Sequence, residues 1–182
     1  LYANIDGFKN EENPISLSER DELDKWILSE LNSLILMVDS FYQDYEPTKA
    51  ARSISDFVQE KLSNWYVRLC RRRFWKGNYE KDKIAAYQTL FECLLTVSKL
   101  IAPIAPFFGD YLYKNLTKNT FSEKFESVHL SDFPYSKKEF INIRLESQIN
   151  TARKITSLAL SLRKKEQIKV RQPLETLMIA LN

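Results

Sequence analysis

The richest stretch of chemistry-bearing side chains is 62–77, which reads Leu-Ser-Asn-Trp-Tyr-Val-Arg-Leu-Cys-Arg-Arg-Arg-Phe-Trp-Lys-Gly. Arg68 to Lys76 holds five basic residues and no acid. On a continuous helix, Asn64, Arg68, Arg71, Arg72 and Trp75 share one stripe, beside an apolar face containing Trp65 and Leu69. Arginines at i, i+3 and i+4 repel by about 0.2–0.5 kcal/mol per pair, so the cluster needs a reason. One reason is the dipole of a helix C-terminus, which favours cations. Another is a polyanion. The backbone N–H groups point away from this end, so side chains would have to hold phosphate, and the planar fork of arginine suits that task. Phe74 and Trp75 among cations offer faces on which unpaired bases stack. The competing reading packs Trp65, Phe74 and Trp75 into the core.

A second basic window runs from Arg153 to Arg171, with seven basic residues and one acid, Glu166. Its centre, Arg163, Lys164 and Lys165, ends a long helical pattern. Two readings stand: compensation of the helix dipole, or contact with a nucleic-acid backbone. Together the two windows hold 12 of the 27 basic residues and 1 of the 24 acids. The remaining 15 basic and 23 acidic residues make the rest of the chain mildly acidic. That segregation fits a local polyanion site, and it also fits two solvated helix ends.

Other chemistry is poorly provided for. His129 is the only histidine, so Ser-His-Asp or Cys-His sites could be built only around it. One histidine with Cys70 and Cys93 cannot complete a four-ligand zinc site. Three scattered glycines cannot form a phosphate-cradling loop. Two cysteines give no disulfide framework, and a reduced, cytoplasmic setting is expected. The apolar run 100–108 is broken by Pro103 and Pro106, so no membrane span is expected.

The elements that must position these residues read as helices. Residues 1–16 form a lead-in containing Gly7 and Pro14. Ser16 and Glu19 have the spacing of a capping box, ahead of Leu23, Trp26, Ile27, Leu31, Leu34, Ile35, Val38 and Phe41 at helical steps. Pro47 suits the first position of a second helix, whose apolar stripe is Ala51, Ile54, Val58, Leu62, Trp65 and Leu69, with Gly77 as its stop. A third helix spans about 81–102 and is central. Pro106 opens a fourth, and 117–135 is a mixed loop. Ser136 and Glu139 offer another capping box. The last helix turns Ile141, Leu145, Ile149, Ala152, Ile155, Ala159 and Leu162 inward. Beyond it, 168–171 alternates like a strand, and 177–181 reads as a second strand segment. The expectation is a mainly α, antiparallel helix bundle spanning 17–166, with a short β segment in the junction 167–182.

Several of these stretches resemble the helical anticodon-binding domain of isoleucyl-tRNA synthetases, which are class I aminoacyl-tRNA synthetases. Asp24-Lys25-Trp26-Ile27-Leu28-Ser29-Glu30-Leu31-Asn32 resembles its first-helix motif. Tyr45-Glu46-Pro47-Thr48-Lys49-Ala50-Ala51-Arg52 resembles the start of its second helix. Asn64-Trp65-Tyr66-Val67-Arg68 followed by Arg71-Arg72-Arg73-Phe74-Trp75 is the most specific match. Leu100-Ile101-Ala102-Pro103-Ile104-Ala105-Pro106-Phe107 and the junction from Ser161 to Leu174 are similar too. Tyr2-Ala3-Asn4-Ile5-Asp6-Gly7-Phe8 resembles the segment leaving the catalytic domain.

The resemblance implies an intact enzyme that joins isoleucine to its tRNA with ATP and magnesium. It also implies editing of valine, because one methylene gives too little discrimination by binding. The family's His-x-Gly-His motif needs two histidines, and its Lys-Met-Ser-Lys-Ser loop is missing; the methionines are Met37 and Met178. The editing domain and any zinc module are missing too. The chain is therefore expected to bind tRNA without cofactors or catalysis of its own, as a monomer, with no DNA partner. In related synthetases the anticodon is met near the end of the second helix and on the first. That points to Arg71, Arg72, Arg73, Trp75 and Lys76, and further to Asn32 and Asn64. Three rival readings are the same domain of a valyl or leucyl enzyme, a helical protein-interaction scaffold, and a small enzyme.

Overall fold

The computed structural model describes residues 2–10, 13–76, 78–118 and 125–179. Their regular structure is helical: α1 (Tyr2–Ile5), α2 (Glu22–Gln43), α3 (Pro47–Asp56), a π-helical segment (Phe57–Val67), α4 (Arg71–Trp75), α5 (Lys81–Ile101), α6 (Pro106–Thr117) and α7 (Ile143–Lys165). The chain divides into two compact units, Leu1–Ile141 and Asn142–Asn182.

In the first unit the helix starts follow from side-chain chemistry. Pro47 and Pro106 open α3 and α6, where a missing N–H costs nothing. Asp21 caps α2, accepting from the Leu23 N–H at 2.9 Å. Ser16 does not cap as expected: its hydroxyl donates to the Glu19 side chain at 2.9 Å, beside a separate single turn, Leu17–Glu19. The end of α2 needs no glycine. Tyr45 takes a left-handed φ of +56°, and the Glu46 N–H closes onto the Phe41 carbonyl at 2.8 Å.

Trp26, Ile27, Leu28 and Leu31 of α2 are fully buried, as are Phe57 and Tyr66 of the π-helical segment and Leu100 of α5. The central helix α5 is long and apolar enough to cross a bilayer by length and composition. It buries Lys83, Gln88, Thr89 and Ser98 along with its apolar residues, the pattern of a core helix. Gly109 lets α6 press against it: a Cβ there would lie 3.0 Å from the Ser98 carbonyl oxygen and 3.1 Å from Ala102 Cα.

The second helix departs from the expected stripe. Its buried positions are Ala50, Ile54, Phe57, Leu62, Tyr66, Cys70 and Phe74, while Leu69 is 49% exposed and Trp65 only half-buried. The step of five from Phe57 to Leu62 lies where the helix widens into i→i+5 winding, and steps of four follow. A 3.6-residue period carried through this segment drifts off the buried face.

In the second unit, α7 is capped by Asn142, whose side chain accepts from the Leu145 N–H at 3.1 Å, and not by Ser136. Among its described residues only Leu145 is buried. Ala152 and Leu162, expected inward, are exposed, and Ile149, Ile155 and Ala159 are half-buried. No strand forms among the described residues. Residues 168–171 are turn and irregular backbone, because an alternating segment needs a neighbouring strand and none is present there. Residues 177–179 are irregular too, and 180–181 of the second expected strand lie outside the described residues.

Candidate nucleic-acid interface

The basic run 71–76 is built on the five-residue helix α4. A helix this short does not hold itself, since isolated helices below roughly 12–15 residues are marginal in water. Its hold comes from the side chains that face inward. Phe74 is 8% exposed and stacks on Tyr87 of α5 at 5.8 Å, with an edge contact to Tyr66 at 6.4 Å. The Tyr87 hydroxyl lies 2.8 Å from the Phe74 carbonyl oxygen and 2.7 Å from Asp6, which Lys83 also meets at 2.6 Å.

Arg73 differs from its neighbours. Its Nη1 and Nη2 donate to Asp24 Oδ1 and Oδ2 at 2.9 and 2.7 Å, a bidentate fork. Its Nε donates to Asp82 Oδ2 at 3.0 Å, and Nη2 reaches the Asp82 carbonyl at 3.0 Å. The Arg73 side chain is 16% exposed and that of Asp24 is fully buried. Burial works against the guanidinium charge, but hydrogen bonding and attraction from Asp24, then Asp82, reverse this and raise its pKa above the ordinary arginine value. Burial pushes the Cys70 thiol up to about 11, against a smaller opposing pull from Arg73, so it is held as a neutral thiol.

Arg68, Arg71, Arg72 and Lys76 are exposed and make no ion pair among the described residues. Trp75 is 51% exposed. Arg71, Phe74 and Trp75 border an open cleft of about 600 Å³, whose other walls include Tyr2, Val67 and Tyr87. The two aromatics of the run thus divide: Phe74 is core, and Trp75 offers a free face beside cations.

Asn64 is exposed on the preceding turn, 3.5 Å from Glu60. Asn32 is not at the surface. It is 3% exposed, its amide donates to the Leu28 carbonyl at 2.8 Å, and its Oδ1 accepts from the Lys137 N–H at 2.8 Å. It pins the segment after the loop to α2, with both ends of its amide engaged inside the fold.

In the second unit, Lys164 and Lys165 are exposed at the end of α7. Arg163 donates to the carbonyls of Lys169 and Gln172 at 3.0 and 2.9 Å, tying down the turn after the helix.

Asp24 and Asp82 were not legible as part of this site. One signal existed: Asp24 falls on the apolar period of α2 with Ile27, Leu28 and Leu31, and an acid there needs a buried partner. His129 is exposed on a short turn, and no group of three potential metal ligands occurs among the described residues.

Residues 24–178 match the model of the anticodon-binding domain of tRNA ligase. The chain is 56% identical over 179 residues to isoleucine–tRNA ligase of Porphyromonas gingivalis, covering 98% of this chain and 15% of that protein. It is 54% identical over 179 residues to the isoleucine–tRNA ligase of Bacteroides thetaiotaomicron, with the same coverage. Against that of Cytophaga hutchinsonii the identity is 54% over 181 residues, or 100% of this chain and 16% of that protein. The chain thus spans about a sixth of the length of these relatives. On this match and this helical architecture, the chain belongs to the family of anticodon-binding domains of tRNA ligases.

Proposed function

We propose that this chain holds the anticodon arm of isoleucine tRNA on behalf of an isoleucine–tRNA ligase. The observation that carries the reading is the division of labour in α4. Arg73 is committed to Asp24 and Asp82, while Arg71, Arg72, Lys76 and the face of Trp75 stand exposed, Arg71 and Trp75 at one cleft. Cations in this setting meet phosphate, and an exposed indole stacks an unpaired base. Arg68 and Asn64 extend the surface along the preceding turn, and Lys164 and Lys165 add a second cationic patch on the other unit. The chemistry of ligation, with ATP and magnesium, belongs to other parts of the longer protein, which works in the cytoplasm. This chain supplies binding and acts as a monomer.

The test is a titration of the chain against isoleucine, valine and methionine tRNAs at several salt concentrations. The reading expects a log K that falls linearly with log salt, and the tightest binding to isoleucine tRNA. Equal affinity for all three would reduce the site to a non-specific cationic surface. No salt-dependent binding would remove the reading.

A further inference from the structure

Asp24 is a charged side chain with no solvent exposure. A buried ion pair is seldom retained for stability, because desolvation consumes most of the attraction, so its geometry is the better guide to its use. Here that geometry ties four segments together. Asp24 of α2 receives both terminal nitrogens of Arg73 of α4, and the hydroxyl of Tyr66 in the π-helical segment at 2.6 Å. Asp82 of α5 takes a further side of the same guanidinium at 2.8 Å.

The π-helical segment ends just before α4, and the Cys70 joint that begins α4 has φ −79° and ψ 3°, with no side-chain cap. The direction of α4 is therefore set by Phe74 and by this fork. Because Arg71, Arg72 and Trp75 lie within two residues of Arg73, a rotation of α4 moves all three.

We infer that Arg73, Asp24 and Asp82 are positioning residues of the nucleic-acid interface: they fix the orientation of α4, and through it the joint presentation of Arg71, Arg72 and Trp75, without touching nucleic acid. This rests on the tRNA reading above.

The sign of two substitutions separates it from electrostatics. Removing an acid beside a cation cluster ought to strengthen polyanion binding. Positioning expects the opposite. Asp24→Asn is expected to weaken tRNA binding by the intact 182-residue chain about tenfold. Asp82→Asn, whose side chain is 66% exposed, should weaken it less. Both should also flatten the salt dependence, since Arg71 and Arg72 no longer meet phosphate together. A mere loss of folded molecules would lower apparent affinity and leave that slope alone.

Arg73→Lys keeps the charge and loses the fork, and it should bind as weakly as Arg73→Ala. Thermal unfolding establishes which variants are folded at the assay temperature. If Asp24→Asn is not, Asp82→Asn and Arg73→Lys carry the test. Unchanged or tighter binding by the folded acid variants would overturn this inference alone. So would an Arg73→Lys variant with full affinity beside an Arg73→Ala variant whose slope drops by about 0.7, the mark of a direct phosphate contact. No binding by the unsubstituted chain would overturn the underlying reading, and this inference with it.

Discussion

The two basic windows are near twins in sequence and opposites in structure. Each is arginine- and lysine-rich, nearly free of acids, and placed at a helix end. The first is bolted to a core: Tyr66, Cys70 and Phe74 are buried beneath it, and Arg73 is locked by two acids. The second ends a helix that buries Leu145 among its described residues and leaves Leu158 and Leu162 more than half exposed. Charge density therefore does not determine whether cations are held in a fixed array; inward-facing neighbours do. A fixed array can add geometry to attraction, whereas a loosely supported one supplies attraction alone.

The largest expected effect tests that anchoring. Phe74→Ala should cost about 3–5 kcal/mol of unfolding free energy, as a buried aromatic does. Leu162→Ala, on the exposed face of α7, should stay within about 0.5 kcal/mol. Urea unfolding monitored by circular dichroism reads both, and similar losses for the two would erase the contrast.

Next in size come the exposed members of the first window. Trp75→Ala should lose about 1–3 kcal/mol of tRNA binding with little change in salt slope, because stacking releases no counterions. Arg71→Ala and Arg72→Ala should each lower the slope by about 0.7. A Trp75→Ala variant that unfolds would return Trp75 to the core. Lys164→Ala and Lys165→Ala should weaken all tRNAs alike, and a selective effect on isoleucine tRNA would promote the second window to a specific contact.

Acid gives a handle on the first unit. Asp110 accepts from Lys114 at 2.7 Å, from the Ser127 hydroxyl at 2.6 Å and from the Val128 N–H at 3.1 Å. These bonds, led by that from Lys114, hold its pKa at about 2, below the ordinary 3.8. A depressed carboxylate stabilises the fold above its unfolded value and loses that contribution as pH falls through the folded one. The Asp110-dependent part of stability should therefore be intact at pH 5 and fade from about pH 4 to 2. Asp110→Asn should remove this component from the pH profile, which unfolding curves at successive pH values would register.

What the sequence made legible was whatever rests on one residue's intrinsic preference. Pro47 and Pro106 mark helix starts because their rings dictate it. Gly109 is a different case, since its necessity depends on Ser98 and Ala102 across a helix contact. The apolar stripe of the second helix was lost at Phe57, where the winding changes and no residue type announces it. Among three consecutive arginines, nothing local says that Arg73 turns inward; its partners lie 49 and 9 residues away. Asn32 enters the sequence reading only through the resemblance, and nothing local says that its side chain serves the backbone at Lys137, 105 residues on. The alternation at 168–171 was real, but a strand is a property of pairs.

The smallest effect tests the contrast at a shared motif. Helices α2 and α7 end alike. Tyr45 and Gln167 take φ of +56° and +55°, and the following N–H groups close onto Phe41 and Arg163 carbonyls, both at 2.8 Å. Glycine is the usual occupant, because a Cβ in this region costs about 1–2 kcal/mol. Both side chains are exposed, so replacing them with glycine loses little packing. The greater freedom of glycine in the unfolded chain takes back part of the gain, leaving about 0.5–1 kcal/mol. Tyr45 ends α2, a helix with many buried residues in the first unit, so Tyr45→Gly should raise the urea midpoint. Gln167 ends a helix with little burial, so Gln167→Gly should slow amide exchange in the last turn of α7 and leave that midpoint in place. Equal shifts of the midpoint would mean that α7 unfolds together with the first unit, and the second basic window would then rest on a support as firm as the first.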